Sequence, residues 1–238
     1  MKKIAIIPAR GGSKRIPRKN IKHFLGKPII AYSIQAANES NLFDEVMVST
    51  DDREIADVAI QYGAKVPFFR SEKNADDFST IPDVMREVLN SYLNLGFEYE
   101  YACCIYPTGA LVTSKRLEQA LTILEDERYY TSIPIVRFGY PPQRAFVMDD
   151  NGYTRFHDES SFKKRSQDLE PLYYDAGLFA FFNTREFFKT GKIIGEKTAG
   201  ILISELEAQD IDNMDDWELA EFKYKFLKEK GLKVHSGI

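Results

Sequence analysis

The stretch IAIIPARGGSKRIPRKN, residues 4–20, joins an apolar run to a loop rich in glycine and positive charge. Residues 4–7 are apolar and mostly β-branched, and Pro8 ends the run, which is typical of a short buried strand. Residues 9–20 then contain Gly11, Gly12 and Pro17 among basic side chains, a composition that predicts a loop. The stretch therefore predicts a buried first strand whose carboxyl end leads directly into a basic loop.

Downstream of this loop, helical and strand patterns alternate over about the first 125 residues. Helical patterns lie at residues 28–39, 54–62, 80–96 and 114–125, and strand patterns lie at residues 45–49, 66–69 and 101–106. Thr80 has the character of an N-cap, and Gly96 ends the segment that it opens. This alternation predicts a parallel sheet covered on both faces, with ligands bound at the carboxyl ends of its strands.

The pattern changes after residue 130. Strand patterns lie at residues 131–138, 144–148, 173–182 and 201–203, and an amphipathic helix is predicted at residues 215–230. Residues 153–172 are polar and poorly periodic, which indicates an excursion from the sheet, either a lid or an arm onto a partner chain. No repeat or linker interrupts the chain, so we expect one domain over residues 1–238, with residues 139–172 as its arm.

The composition excludes several classes of protein. The 238 residues carry 32 Lys and Arg against 36 Asp and Glu, and only two cysteines, which are adjacent. A disulfide scaffold is therefore excluded, and no apolar run approaches the roughly 20 residues of a membrane span. The slight net acidity argues against a general nucleic-acid binder. We expect a cytoplasmic protein that binds neither nucleic acid nor membrane.

The basic loop contains the largest group of candidate ligand-binding residues. Five positive charges fall within ten residues of an otherwise acidic chain, at Arg10, Lys14, Arg15, Arg18 and Lys19. Paired with two glycines that allow close backbone approach, they match a polyphosphate ligand, although a solvated basic loop remains the simpler alternative. The spacing is neither that of a dinucleotide-binding G-x-G-x-x-G turn nor that of a Walker A loop. A dehydrogenase or P-loop ATPase is therefore disfavoured.

Six motifs follow one another along the chain: IPARGGSKRIPRKN at 7–20, GKPIIAYSI at 26–34, VSTDD at 48–52, FRS at 69–71, DDFST at 76–80 and QDIDNMDDW at 209–217. In this order they resemble the motifs of one enzyme family, the nonulosonic-acid cytidylyltransferases. The resemblance covers nearly the whole chain. It implies a three-layer α/β fold like that of nucleotide-diphospho-sugar transferases, with a mainly parallel sheet, and a reaction between CTP and a nonulosonic acid. It also implies a homodimer in which residues 139–172 contribute to dimerisation and to the sugar site.

Within the family, two stretches resemble the branch that acts on pseudaminic acid. These are YPTGALVT at 106–113 and RSQDLEPLYYDAG at 165–177. Gly109 and Ala110 depart from the Ala-Pro of many relatives, which leaves the local geometry near the sugar open. N-acetylneuraminic and legionaminic acid remain alternative substrates, and a catalytically silent nucleotide-binding regulator is a distant alternative.

Asp210 and Asp212 are the predicted metal ligands. Residues two apart in an extended backbone face the same side, so both carboxylates can address one cation. Mg²⁺ is the expected ion because it prefers oxygen and takes one or two carboxylates together with phosphates and water. Without the family resemblance, an acidic turn that caps the following helix, where Asp215 and Asp216 lie, is an equal alternative.

The resemblance assigns the remaining site residues. Arg10, Lys19 and Asp212 are the predicted catalytic residues. The predicted CTP-binding residues are Ala9, Arg10, Gly11, Gly12, Ser13, Lys14, Lys19, Asn20, Arg70, Ser79 and Thr80. The predicted sugar-binding residues are Tyr106, Arg165, Gln167, Tyr174 and Asp175. Helix capping is an equal alternative for Thr80, and core packing is an alternative for both tyrosines. Arg165 is expected to grip the sugar carboxylate across a dimer.

Overall fold

The computed structural model describes residues 1–76, 78–126 and 128–231. Asp77 of the DDFST motif therefore lies outside the described residues, as do residues 232–238 of the predicted domain. The strands are β1 (Lys3–Pro8), β2 (His23–Phe24), β3 (Lys27–Pro28), β4 (Glu45–Ser49), β5 (Tyr101–Ile105), β6 (Thr131–Arg137), β7 (Phe146–Met148), β8 (Thr154–Phe156), β9 (Tyr173–Asp175), β10 (Phe179–Asn183) and β11 (Thr198–Leu202). The helices are α1 (Ile30–Ser40), α2 (Arg53–Gln61), α3 (Ile81–Asn94), α4 (Ser114–Leu124), α5 (Glu159–Phe162), α6 (Thr184–Thr190) and α7 (Met214–Glu229).

The main sheet has the strand order β11-β6-β10-β5-β1-β4, with β9 pairing with β6. The pairs β1–β4, β1–β5 and β6–β11 are parallel, whereas β10 runs antiparallel to both β5 and β6. The predicted mainly parallel sheet is therefore confirmed. Because β1, β4 and β5 run the same way, the segments that follow them emerge at one edge.

Helices cover both faces of this sheet, so the predicted three-layer arrangement is confirmed. The alternation of side chains along β1 sends Ile6 towards α3 and α6, and Ile7 towards α1, α4 and α7. The adjacent Cys103 and Cys104 of β5 divide between the same two faces and are fully buried. The near-continuous apolar character of β1 follows from this burial on both sides.

Two segments differ from the predicted elements. Residues 66–69 form no strand, because only Lys65 bridges to Met47 and Pro67 has no N–H to extend the ladder. The predicted strand at 173–182 is divided into β9 and β10 at Gly177, whose φ of +64° is incompatible with an extended strand. The helix α6, which follows directly, was not predicted.

The arm at residues 139–172 is built around a hairpin. Strands β7 and β8 pair antiparallel across the predicted turn at 149–152, and Asp149 accepts hydrogen bonds from the N–H groups of Asn151 and Tyr153. Phe156 packs against Phe146 and Phe162, with ring centroids 4.7 and 4.0 Å apart. Neither β8 nor α5 was predicted, because residues 153–172 are mostly polar and poorly periodic. None of the helices in the described ranges has the apolar length that a bilayer crossing demands.

Candidate active site

The loop after β1 lines a pocket of about 420 Å³ at the carboxyl ends of the parallel strands. The pocket brings together seven predicted site residues from three distant parts of the chain: Arg10, Ser13, Lys14, Lys19, Asn20, Tyr106 and Asp210. Thr108, which the sequence did not single out, also lines it and is nearly buried. The predicted location of the ligand site agrees with this pocket.

The ends of the loop are held by hydrogen bonds to its own backbone and to neighbouring segments. The N–H of buried Ala9 donates to the carbonyl of Ser49 at 2.9 Å. Asn20 is also buried, and its Nδ2 donates to the carbonyl of Arg10 at 3.0 Å. The Nη1 of Arg10 donates to the carbonyl of Asp76 at 2.8 Å. Asn20 therefore fixes the loop from within, a role that the sequence did not predict.

An acidic pair just after β4 holds the middle of the loop. The Oδ1 of Asp51 accepts a hydrogen bond from the N–H of Gly11 at 3.0 Å. Asp52 caps α2 by accepting from the N–H of Ile55, and it also binds Arg18 through two hydrogen bonds of 2.5 and 3.0 Å. A Cβ on Gly11 would lie 2.7 Å from the Oδ2 of Asp52, so only glycine fits there. The signal for this pair was present in the VSTDD motif, to which the sequence reasoning assigned no role.

This arrangement corrects the predicted use of the five cations. Arg18 sits in the left-handed region with φ of +55°, and its guanidinium binds both Asp52 and Glu54. Its hydrogen bonds hold the pKa of Asp52 below the usual aspartate range. Because two carboxylates already pair with it, Arg18 positions the loop and offers less charge to a polyphosphate than an unpaired cation would.

The predicted metal ligands lie across the pocket from the loop. The Nη2 of Arg15 pairs with the Oδ1 of Asp212 at 2.6 Å, and the Nζ of Lys19 donates to the carbonyl of Ile211 at 2.6 Å. Burial lowers the pKa of Lys19, and the carboxylates of Asp212 and Asp210 oppose that decrease. The loop and the 210–212 segment are thus in direct contact, as a shared polyphosphate and cation site requires.

A second pocket of about 480 Å³ adjoins the first through Asp210. It is lined by three further predicted site residues, Tyr174, Asp175 and Asp212. The surrounding walls desolvate the Asp175 carboxyl and raise its pKa, although the N–H of Gly177 donates to it at 2.9 Å and opposes the increase. Tyr174 packs against Phe138 with a centroid distance of 4.9 Å, so it both packs and lines the pocket.

Gly109, which departs from the family pattern, closes a tight turn after β5. A Cβ there would lie 2.9 Å from the Cγ2 of Val112 and 3.0 Å from the carbonyl oxygen of Tyr106. That carbonyl accepts hydrogen bonds from the N–H of Gly109 at 2.9 Å and from the Oγ of Ser33 at 2.8 Å. Gly109 therefore lets this turn close tightly beside Tyr106, which lines the pocket.

Three of the predicted CTP-binding residues are engaged in local structure. Arg70 is buried, with Nε and Nη2 donating to the Oγ and carbonyl of Ser49 at 3.1 and 2.5 Å. The Oγ of Ser79 donates to Asp76 at 2.7 Å. Thr80 caps α3 in a reciprocal box with Asp83, which confirms the capping alternative. A groove of about 560 Å³ nearby is lined by Arg10, Gly11 and Gly12 together with the strongly exposed Phe78.

Arg165 and Gln167 lie in the arm and line neither of the two joined pockets. The guanidinium of Arg165 is exposed and pairs with Asp168 at 2.7 Å. Both residues belong to a short turn around residues 166–168. Within one protomer, the structure therefore does not bring these two predicted sugar ligands to the rest of the site.

The donor set near Asp210 and Asp212 fits a hard cation. Both carboxylates line one pocket, and the ligands on offer there are oxygen atoms. In the described ranges, no group of three or more His, Cys, Asp or Glu side chains is arranged to hold a metal by itself. Two carboxylates suit an ion that draws its remaining ligands from phosphate and water.

Comparison of the fold with solved structures identifies close architectural neighbours. The structure of CMP:2-keto-3-deoxy-manno-octonic acid synthetase complexed with CTP superposes with a TM-score of 0.67 at 16% identity, covering 96% of this chain and 100% of that one. At this identity the likeness concerns the fold alone. It supports the nucleotide-sugar transferase-like architecture that the motifs implied.

Comparison of the sequence gives a more specific result. The chain is 40% identical to a pseudaminic acid cytidylyltransferase of Campylobacter jejuni over 232 residues, covering 98% of this chain and all of the relative. It is 31% identical to a CMP-N,N'-diacetyllegionaminic acid synthase of Legionella pneumophila, covering 93% of this chain and 95% of the relative. The cytidylyltransferase family model matches residues 4–207. The chain therefore belongs to the cytidylyltransferase family.

Proposed function

We propose that the protein transfers a cytidylyl group from CTP to pseudaminic acid, forming CMP-pseudaminic acid and pyrophosphate. The observation that carries the proposal is the meeting of the basic loop with Asp210 and Asp212 across two joined pockets. The 40% identity to a pseudaminic acid cytidylyltransferase over almost the whole chain supports this choice of sugar. The cytidylyltransferase family supports the nucleotide chemistry, and we assign the pocket beside the basic loop to the triphosphate and the adjoining pocket to the sugar.

In this reaction, the anomeric hydroxyl oxygen attacks the α-phosphorus of CTP. A new oxygen–phosphorus bond forms as the bond to the β-phosphate oxygen breaks, the hydroxyl loses its proton, and pyrophosphate leaves. Negative charge accumulates on the phosphate oxygens during the displacement, so catalysis consists mainly of positioning and charge stabilisation. Arg10, Lys14 and Lys19 line the pocket from the side of the loop and are suited to that task.

We infer that Asp210 and Asp212 would hold Mg²⁺, since both line one pocket. When bound, it would screen the phosphate charge and polarise the phosphorus–oxygen bonds. Asp212 would have to exchange its pairing with Arg15 for the cation, which would leave Arg15 facing the triphosphate. The contact between Lys19 and the carbonyl of Ile211 would hold the segment during that exchange.

The base is proposed to bind near the groove formed by Gly11, Gly12 and Phe78. Gly12 has open space around the position of a Cβ, so its backbone is accessible to a ligand. Ser79 and Thr80, the N-cap of α3, directly follow Phe78 in the chain, and together with Arg70 they are proposed to contribute to the nucleoside site. Their local hydrogen bonds supply the rigidity that base selection needs.

The sugar carboxylate requires a cation, and the second pocket is strongly acidic. Lys223 is the only cation among the described residues that line this pocket, and its ammonium already donates hydrogen bonds to three oxygens. We therefore propose that Arg165 reaches this pocket from the arm of a second copy, in a cytoplasmic homodimer. The arm carries exposed Met148 and Tyr153, which a partner chain would cover.

The substrate assignment is tested by pyrophosphate release from CTP with each sugar supplied separately. We expect pseudaminic acid to be the preferred substrate, and Arg10→Ala to abolish most of the release without changing the fold. Equal or faster release with legionaminic or N-acetylneuraminic acid would contradict the assignment of pseudaminic acid as the preferred substrate. Absence of release with every nonulosonic acid would favour a silent nucleotide-binding regulator.

The dimeric site is tested by mixing two inactive variants. Arg165→Ala and Asp212→Ala damage different halves of a shared site, so a mixed dimer contains one intact site. Random exchange of subunits should restore about a quarter of wild-type activity, because half of the dimers are mixed and each has one working site. A mixture that stays inactive although light scattering shows dimers would contradict the proposal that Arg165 acts in the site of the other subunit.

A further inference from the structure

Lys223 is a buried cation on α7 whose hydrogen-bond partners are neutral oxygens. Its side chain belongs to a residue that is 8% exposed. The Nζ donates to the carbonyls of Glu205 and Ala208 at 3.0 and 2.7 Å, and to the Oε1 of Gln209 at 2.9 Å. All three donors of the ammonium are therefore used on one five-residue segment, residues 205–209.

A buried ammonium whose hydrogen bonds all go to neutral oxygens is costly compared with an apolar side chain of similar volume, and the charge of Glu205 offsets only part of that cost. Core packing alone does not explain Lys223, since Met would fill the same space at lower cost in desolvation. Burial lowers the pKa of Lys223, which agrees with that cost. What lysine adds is three fixed hydrogen bonds to the stretch that immediately precedes Asp210.

The Gln209 side chain extends this anchor to Asp210 itself. Its Oε1 accepts from Lys223, and its Nε2 donates to the carbonyl of Asp210 at 2.9 Å. The N–H of Asp212 donates to the Oδ2 of Asp216 at 2.9 Å, which fixes the other end of the carboxylate pair on α7. Both ends of the 210–212 segment are therefore tied to the same helix.

A second clamp, from α4, holds the same segment. The guanidinium of Arg116 on α4 binds the carboxylate of Glu207 through contacts of 2.8 and 2.9 Å, and its Nε adds a third at 3.0 Å. Arg116 thus fixes where the segment lies, whereas Lys223 fixes the orientation of its last carbonyls and, through Gln209, of Asp210. The two clamps have separable effects, because only the Lys223 clamp reaches a residue of the site, Asp210, through Gln209.

We propose that Lys223 is a positioning residue that sets the Asp210 and Asp212 carboxylates for a divalent cation and the triphosphate. This inference rests on the proposed function, in which those two aspartates bind the cation. Residues behind a metal ligand that orient it are commonly worth about 10- to 100-fold in metal affinity or activity. Lys223 acts through the backbone and through Gln209, and it needs no contact with substrate.

The test measures Mn²⁺ binding directly, by electron paramagnetic resonance on the full chain with CTP present and sugar omitted. Lys223→Met should raise the Mn²⁺ dissociation constant about 10-fold or more and lower kcat/KM for CTP with it. Lys225→Met, on the exposed face of the same helix, is the matched control and should leave both unchanged. Gln209→Leu, which removes only the link to Asp210, should give a smaller change in the same direction.

The outcomes separate this inference from the proposed function. A Lys223→Met protein that melts at a lower temperature but keeps wild-type Mn²⁺ affinity and kcat/KM would overturn the positioning role. If Lys223→Met does not fold, Gln209→Leu decides, and unchanged Mn²⁺ affinity in that variant overturns the role equally. If wild type binds Mn²⁺ no better than Asp210→Asn does, the proposed cation site fails, and the positioning role fails with it.

Discussion

Two pairs of aspartates face the same basic loop, but they lie in different surroundings. Asp51 and Asp52 follow β4 and bind the N–H of Gly11 and the guanidinium of Arg18. Asp210 and Asp212 follow β11 and line two open pockets. The first pair is committed to the protein itself, whereas the second is directed at space that a ligand can enter.

The two kinds of pairing explain how one loop can be held rigidly and still offer cations to a ligand. Five cations packed together would repel one another, and carboxylates that neutralise some of them stabilise the loop. Arg18 pairs with Asp52, whose side chain is only 22% exposed, and with Glu54, while Arg15 pairs with Asp212 through side chains that are 67% and 45% exposed. The first pairing shapes the loop, and we propose that the second is exchanged for ligands.

The largest effect is expected from Asp212→Asn, which tests the ligand-facing pair. The amide keeps the shape of the side chain but removes the charge that the proposed cation needs. We expect pyrophosphate release to fall by at least about 100-fold, as when a charge-stabilising group is removed from an active site. The melting temperature should stay near that of wild type, because the pair with Arg15 is exposed. Near-normal CTP consumption would contradict the proposed role of Asp212.

An intermediate effect is expected from Asp52→Asn, which tests the loop-facing pair. Asparagine still caps α2, so the substitution removes mainly the ion pair with Arg18. We expect the free energy of unfolding at pH 7 to fall by about 1 kcal/mol, with a much smaller loss of turnover than Asp212→Asn causes. Asp52→Ala, which also removes the cap, should be less stable still.

The pH dependence of this loss follows from the pKa of Asp52. Hydrogen bonds from Arg18 hold that pKa below its usual value, so the folded protein takes up the proton less readily than the unfolded chain. The ion pair therefore stabilises the fold above about pH 4, the ordinary aspartate pKa, and the stabilisation is lost as the pH falls through the folded-state pKa. Urea unfolding should show wild type and Asp52→Asn converging at low pH. A difference that is constant from pH 7 to pH 3 would contradict this.

The sequence was sufficient for the features that depend on local pattern. The first strand, the loop and the cap at Thr80 follow from periodicity and from residue types a few positions apart. The i, i+2 spacing of Asp210 and Asp212 placed both on one pocket, since that spacing is local as well. The carboxyl-edge position of the site followed from the alternation of strands and helices.

Features that depend on contacts between distant residues were not predictable in this way. The pairing of Arg18 with Asp52 joins residues 34 positions apart, and only the parallel pairing of β1 with β4 brings them together. The break at Gly177 within the pattern 173–182 was hidden because aromatic residues that favour strands lie on both sides of it. The link from Lys223 to Asp210 was hidden for another reason, since a lysine on an amphipathic helix resembles its exposed neighbours in sequence.

The smallest effect is expected from Arg15→Gln, and it refines the comparison between the two aspartate pairs. If the pair with Asp212 is exchangeable, Arg15 competes with the divalent cation in the nucleotide-free protein. Removing it should tighten Mn²⁺ binding about 2- to 5-fold at low ionic strength, the range expected for an exposed ion pair. The gain should disappear in about 1 M salt, where the Debye length is roughly 3 Å. Unchanged affinity at low salt would mean that Arg15 and the cation do not share Asp212, and that this pairing, like that of Arg18, only shapes the loop.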